Sequence, residues 1–106
     1  MQSKYSPALE RDIQRAIIAA LKNRPGGFTM KLAAGPYSTP GVPDVLHIEN
    51  GCAFFIEVKR PGGRLTALQA DMLRKLRAAG AVAGIAYSVE DALQLLQEGR
   101  DAEPEA

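Results

Sequence analysis

The period of the apolar residues changes several times along this chain, and each change marks an element. Leu9, Ile13, Ala16, Ile17, Ala20 and Leu21 recur at helical spacing and predict a first helix. Ser6-Pro7 supplies an N-cap and a proline at the first helical position, and Pro25-Gly26-Gly27 ends the helix near Asn23-Arg24. A short strand follows over 28–32, then a loop over 33–40 carrying Tyr37, Ser38 and Thr39. Two β-rich runs, 45–48 and 53–56, flank Asn50-Gly51. Asn-Gly favours a type I′ hairpin turn, because both central residues need positive φ.

Beyond the hairpin, 60–65 reads as a tight loop and 66–79 as a helix. Thr66 and Gln69 stand at capping-box spacing, and Gly80 closes the helix. Its apolar face is expected to run through Leu65, Leu68, Met72, Leu76 and Ala79. The apolar run 82–87 predicts a buried strand, and Ser88 caps a last helix from Val89 to about Gln97. The strand over 52–59, the helix and the strand over 82–87 form a crossover unit, hence a parallel pair. The earlier strands add antiparallel edges. The expectation is one α/β domain over 1–97, a mixed β-sheet flanked by helices with a C-terminal helix. Residues 98–106 read as an acidic, disordered tail.

The hairpin carries candidate chemistry. A two-residue turn pairs Glu49 with Cys52 and, five steps outward, Asp44 with Glu57. That pair is non-hydrogen-bonded, with Cβ atoms roughly 4.5–5.5 Å apart. Opposed carboxylates repel, and a divalent cation between them is the common remedy. Lys59 is two residues past Glu57 and points to the same face. Pro43 faces Val58 and has no N–H to give its carbonyl. Asp44, Glu57 and the Val58 carbonyl thus form a set of hard oxygen donors suited to magnesium or manganese. A cation beside an ammonium makes a site for a phosphodiester.

Composition narrows the setting. The chain has 106 residues, enough for one core. No apolar run is long enough to span a membrane, and the N-terminus lacks a signal-peptide core. A single cysteine, Cys52, excludes an intramolecular disulfide and a cysteine-based zinc cluster, and the simplest compartment is cytoplasmic. The net charge of +1 does not announce a nucleic-acid binder, but Lys59, Arg60, Arg64, Arg74, Lys75 and Arg77 cluster within twenty residues. Arg74, Lys75 and Arg77 read better as a solvated helix face. Lys31, Tyr37 and Ser38 are candidates for phosphate contact or parts of an ordinary connection. Glu10 either reaches the sheet edge or serves the dipole of the first helix. Gln69 falls inside the apolar stripe and needs a partner: it either caps or turns toward Glu57 and Lys59, the second being preferred. His47 lies on the face opposite Asp44 and reads as structural.

The element order, with Pro43-Asp44 followed by Glu57-Val58-Lys59, resembles the PD-(D/E)xK nuclease superfamily and its restriction-endonuclease-like αβββαβ core. Glu10, Gly41-Val42-Pro43-Asp44, Ile56-Glu57-Val58-Lys59, the loop to Arg64 and Thr66-x-x-Gln69 look more narrowly like a stand-alone VRR-NUC domain of the phage and bacterial type, over roughly residues 8–97. The resemblance implies a Mg2+- or Mn2+-dependent endonuclease. Asp44, Glu57 and the Val58 carbonyl would bind the metal, and Lys59 would stabilise the attacking water or developing charge. Gln69 would position Lys59 or the water, and Glu10 would complete the outer metal shell. Arg60 and Arg64 join Lys31, Tyr37 and Ser38 as candidate nucleic-acid contacts. It further implies a homodimer cutting branched DNA such as Holliday junctions, with no membrane partner. The alternatives are a non-catalytic nucleic-acid-binding module and a nuclease or nickase acting on linear duplex DNA.

Overall fold

A computed structural model of the chain describes residues 7–32 and 35–101. The element order is α1 (Pro7–Lys22), β1 (Gly27–Lys31), β2 (Val45–Glu49), β3 (Cys52–Val58), α2 (Ala67–Ala78), β4 (Val82–Ala86) and α3 (Val89–Asp101). The four strands form one sheet in the order β1-β2-β3-β4. The first two pairings are antiparallel, and β3 pairs with β4 in parallel through the α2 crossover. Ser6, the expected cap of α1, and Ala33 and Ala34 of the loop lie outside the described residues.

The hairpin forms in the expected register. Asn50 and Gly51 take φ of 52° and 76°, as a type I′ turn requires, and Glu49 pairs with Cys52. The ladder runs outward to Val45 opposite Ile56 and stops there. Asp44 therefore sits one residue before β2 begins. Its carbonyl accepts the Leu32 N–H at 2.8 Å, which ties it to the end of β1.

Strand alternation divides the sheet into two faces. On one, Val45, Phe54, Ile56, Val58 and Ala86 pack with Ile17 and Leu21 of α1 and with Ala92 and Leu96 of α3 to make the core. On the other, α2 lies over β3 and β4. Among the described residues no helix is long and apolar enough to cross a membrane.

Two expectations are corrected. In α2 the buried residue is Leu73, whereas Leu68 is 60% exposed. The N-terminal turn of α2 meets the loop before β2 rather than the core: a Cβ on Gly41 would lie 2.5 Å from the Leu68 carbonyl oxygen. The last helix also runs beyond the expected end near Gln97, because α3 continues to Asp101. Gly99 extends the buried stripe of Ala92 and Leu96 and lies against Phe54 and Val82, where its missing side chain lets helix and sheet approach. Residues 102–106 lie outside the described part.

Candidate active site

Three elements meet where β2 begins and β3 ends. The loop into β2 delivers Asp44, β3 delivers Glu57 and, just past its end, Lys59, and the first turn of α2 delivers Gln69. Pro43, fully buried, precedes Asp44. The Val58 N–H donates to Oδ2 of Asp44 at 2.9 Å. The aspartate thus takes the amide that a continuing ladder would have paired with Pro43, and its side chain is held toward β3. Alternation turns the Val58 carbonyl to the same side, where Pro43 has no N–H to offer.

Glu57 is 4% exposed, and its Oε2 is addressed twice. Gln69 Nε2 donates to it at 3.2 Å and Lys59 Nζ lies 3.7 Å away. Gln69 uses its other end at the same time: Oε1 accepts the Thr66 N–H at 2.9 Å, while Thr66 Oγ1 accepts the Gln69 N–H at 3.1 Å. Capping and facing the site, which the sequence posed as alternatives, are satisfied together by the two ends of one amide.

The carboxyls of Asp44 and Glu57 also influence each other electrostatically. Burial raises the Asp44 carboxyl above the ordinary aspartate range, opposed by the Val58 N–H. Burial, reinforced by the charge of Asp44, pushes Glu57 up to about 8, against the pull of Lys59. Glu10 raises both further through its charge, so the α1 carboxylate is felt at the pair. Without a counter-cation, these side chains cannot both ionise cheaply, and Glu57 keeps a proton near neutrality.

The pair lies near two open cavities. One, about 370 Å³, is lined by Glu10, Lys59, Arg60, Gly63 and Arg64. The other, about 410 Å³, includes Ser38, Thr39, Gly41, Asp44, Thr66, Leu68 and Gln69 in its wall. Glu10, Arg60 and Arg64 are thereby gathered beside Lys59. Lys31 is not: alternation puts its side chain on the Val45 face, away from Asp44. Ser38 lines the second cavity, but its hydroxyl accepts the Gly35 N–H at 3.1 Å and donates to the Gly35 carbonyl at 2.8 Å. Tyr37, on the same turn, is wholly exposed.

The donor set has two carboxylates at its centre. Among the described residues no group of three or more His, Cys, Asp or Glu side chains is placed to hold a metal ion. Asp44 and Glu57 are oxygen donors of the kind a hard divalent cation takes, with the Lys59 ammonium 3.7 Å from Glu57 as the neighbouring positive charge. Further donors would be the Val58 carbonyl, water or substrate oxygen.

The sequence reading missed a second polar cluster on the opposite face. His47, wholly buried, contacts Thr29 Oγ1 through Nδ1 at 2.8 Å and Glu49 Oε1 through Nε2 at 2.9 Å. Arg24, just after α1, clamps both oxygens of Glu49 at 2.7 and 2.8 Å. That grip holds the Glu49 carboxyl down at about 2. The period-two spacing of Val45, His47 and Glu49 was the available signal, and it supports the structural role given to His47.

No family model and no curated protein matches the chain. Solved structures do. A VRR_NUC domain superposes with a TM-score of 0.69 at 25% identity, over 84% of this chain and 95% of that one. The Holliday junction resolvase Hjc of Archaeoglobus fulgidus superposes with a TM-score of 0.56 at 24% identity, over 72% of this chain and 65% of that one. The chain therefore has a restriction-endonuclease-like αβ core, structurally similar to proteins of the PD-(D/E)xK superfamily.

Proposed function

We propose that this protein is a divalent-metal-dependent endodeoxyribonuclease that hydrolyses phosphodiester bonds in branched DNA such as four-way junctions, acting as a homodimer. The observation that carries the reading is the pairing of half-buried Asp44 with buried Glu57, with Lys59 and Gln69 both directed at Glu57 Oε2. The likeness to a VRR_NUC domain and to a junction resolvase supports the chemistry and the substrate class.

In this reading Asp44, Glu57 and the Val58 carbonyl would hold Mg2+ or Mn2+, with Glu10 acting on them through its charge. The ion would supply a nucleophilic water and positive charge for the phosphoryl oxygens. The Val58 N–H fixes the rotamer of Asp44, and Gln69 fixes that of Glu57. Lys59 supplies a positive charge beside the reacting phosphate, where a preorganised donor needs no rearrangement during reaction. Arg60 and Arg64 receive a neighbouring phosphate of the same strand.

The test is cleavage of a labelled four-way junction and a matched linear duplex in magnesium. Wild-type protein is expected to cut the junction in preference, and Asp44→Ala and Lys59→Ala to abolish cutting. Undiminished cleavage by either variant would remove the assigned site. Equal cutting of both substrates would remove the preference for branched DNA.

A further inference from the structure

The two cavities beside the acid pair have walls of opposite character. Lys59, Arg60 and Arg64 line the first. The second, about 410 Å³, has no cation in its wall, and its one charged residue is Asp44. Pro36, Pro40, Val42 and Leu68 make much of that wall apolar. Leu68 is 60% exposed, so its side chain serves the cavity and not the core. The two sides of the cavity, the loop before β2 and the first turn of α2, touch at Gly41. Its φ of 82°, and the 2.5 Å that a Cβ would leave to the Leu68 carbonyl oxygen, admit only glycine at that contact. The loop is thereby clasped to the helix, and the cavity between them is held open beside Asp44 and Gln69.

Most polar side chains of this wall are already committed. The Ser38 hydroxyl bonds to Gly35, the Thr66 hydroxyl to the Gln69 N–H, and the two ends of the Gln69 amide to Thr66 and Glu57. The Thr39 hydroxyl has no partner among the described residues. Backbone phosphates find no cation in such a wall. A flat, uncharged ring with hydrogen-bonding edges suits it, because apolar side chains cover the ring and a single hydroxyl meets its edge. We propose that this cavity receives a nucleobase of the cut strand, turned out of its stack beside the scissile phosphate.

The proposal deepens the nuclease reading and rests on it, since the acid pair fixes where the scissile phosphate lies. Lys59, Arg60 and Arg64 take phosphates on one side of the cut, and the strand continues past Asp44 and Gln69 to the cavity. A base in an intact duplex faces its partner strand. To enter the cavity it must unpair and unstack, and that cost falls where the base is already poorly paired, as at a branch point or a mismatch. Leu68 and Val42 then contact the ring, and Thr39 meets its edge. The feature selected is one unpaired nucleotide beside the cut, and a preference for branched DNA follows from it.

The experiment compares the full chain with Leu68→Glu and, as a control on α3, Leu93→Glu. Both leucines are exposed, and circular dichroism checks that the variants fold. In EDTA, protein is titrated onto a four-way junction carrying the fluorescent base 2-aminopurine at its branch point. Emission, which rises when the base leaves its stack, is expected to increase at least about twofold with wild type and Leu93→Glu and to stay flat with Leu68→Glu. In magnesium, wild type is expected to cut a linear duplex beside a single mismatched nucleotide at least about tenfold faster than the fully paired duplex. For Leu68→Glu that ratio should fall to near one, and taking a ratio cancels any general weakening of DNA binding by the new charge. If wild type cuts the junction but the mismatch gives no acceleration, or Leu68→Glu keeps the wild-type ratio and emission, the inference is overturned and the nuclease reading stands. If wild type cuts no DNA, the nuclease reading falls and the emission decides the cavity: a rise that Leu68→Glu abolishes supports a base site, and no rise overturns it.

Discussion

The amide of Gln69 bridges the first turn of α2 and the end of β3: its Nε2 donates to Glu57 Oε2 at 3.2 Å while its Oε1 caps the helix at the Thr66 N–H. One side chain thus couples the start of a helix to the rotamer of a buried carboxylate. The two roles separate by mutation. Thr66→Ala removes only the cap and is expected to cost about 1 kcal/mol of stability with little change in cleavage rate. Gln69→Ala should show a similar loss of stability together with a fall in rate of roughly 10- to 100-fold. Gln69→Glu can keep the cap but turns a carboxylate toward Glu57, so activity should fall while the cap survives. Urea denaturation and single-turnover junction cleavage measure the two effects. Equal rate losses for Thr66→Ala and Gln69→Ala would make Gln69 a cap only.

Glu57 predicts an unusual pH dependence of stability without metal. Its carboxyl is raised from 4.5 to about 8, so between those values the folded state holds a proton that the unfolded state has released. This contribution is fully present below 4.5 and is lost as pH rises through about 8. In EDTA the urea midpoint should fall across that range, and Glu57→Gln should flatten the fall. Because a bound cation replaces the proton, the rise in melting temperature produced by magnesium should grow with pH over the same window. An unchanged pH profile in Glu57→Gln would contradict the assignment.

The Arg24–Glu49–His47 cluster predicts the opposite sign at the other end of the sheet. Glu49 is lowered from 4.5 to about 2 by Arg24. Its stabilisation is present above 4.5 and is lost as pH falls through about 2. Arg24→Ala leaves a buried carboxylate without its clamp and is expected to cost about 2–3 kcal/mol at neutral pH. It should also reduce the acid sensitivity between those values. Junction cleavage by the folded variant should match wild type, since the cluster lies on the face away from Asp44.

Gly99 tests where the domain ends. A Cβ there would lie 2.5 Å from Cε2 of Phe54, so Gly99→Ala forces the helix and the ring apart. The expected cost is about 1–3 kcal/mol by thermal or urea denaturation. Removing residues 98–106 should also destabilise the fold, because Gly99 is part of the packed face of α3. A truncated chain as stable as the full one would restore the earlier boundary near Gln97.

Much of this architecture was legible because its signals are local. Asn50-Gly51 specifies a turn with positive φ at both residues, and the turn sets a register that runs as far as Val45 opposite Ile56, one step short of Asp44 and Glu57. Thr66 and Gln69 announced their capping box by spacing alone. What escaped depends on how elements cross. The tilt of α2 makes Leu73 its buried residue and leaves Leu68 beside Gly41, which no wheel of α2 shows. The end of α3 depends on Phe54 and Val82 of the sheet, so acidic composition misplaced it. The Val58 N–H was the other omission: the ladder stops at Val45 and Ile56, and Asp44 Oδ2 accepts that amide instead. Lys31 pairs with Val45, on the sheet face opposite Asp44, which the sequence alone did not place.

The central claim is that Asp44 and Glu57 jointly hold a divalent cation, and a manganese titration followed by electron paramagnetic resonance tests it most directly. The full chain, Asp44→Asn and Glu57→Gln are titrated side by side, with folding checked by circular dichroism. The account predicts saturable binding to the wild type and weakening of at least about tenfold in each variant. Manganese binding that is equal in all three proteins would contradict it.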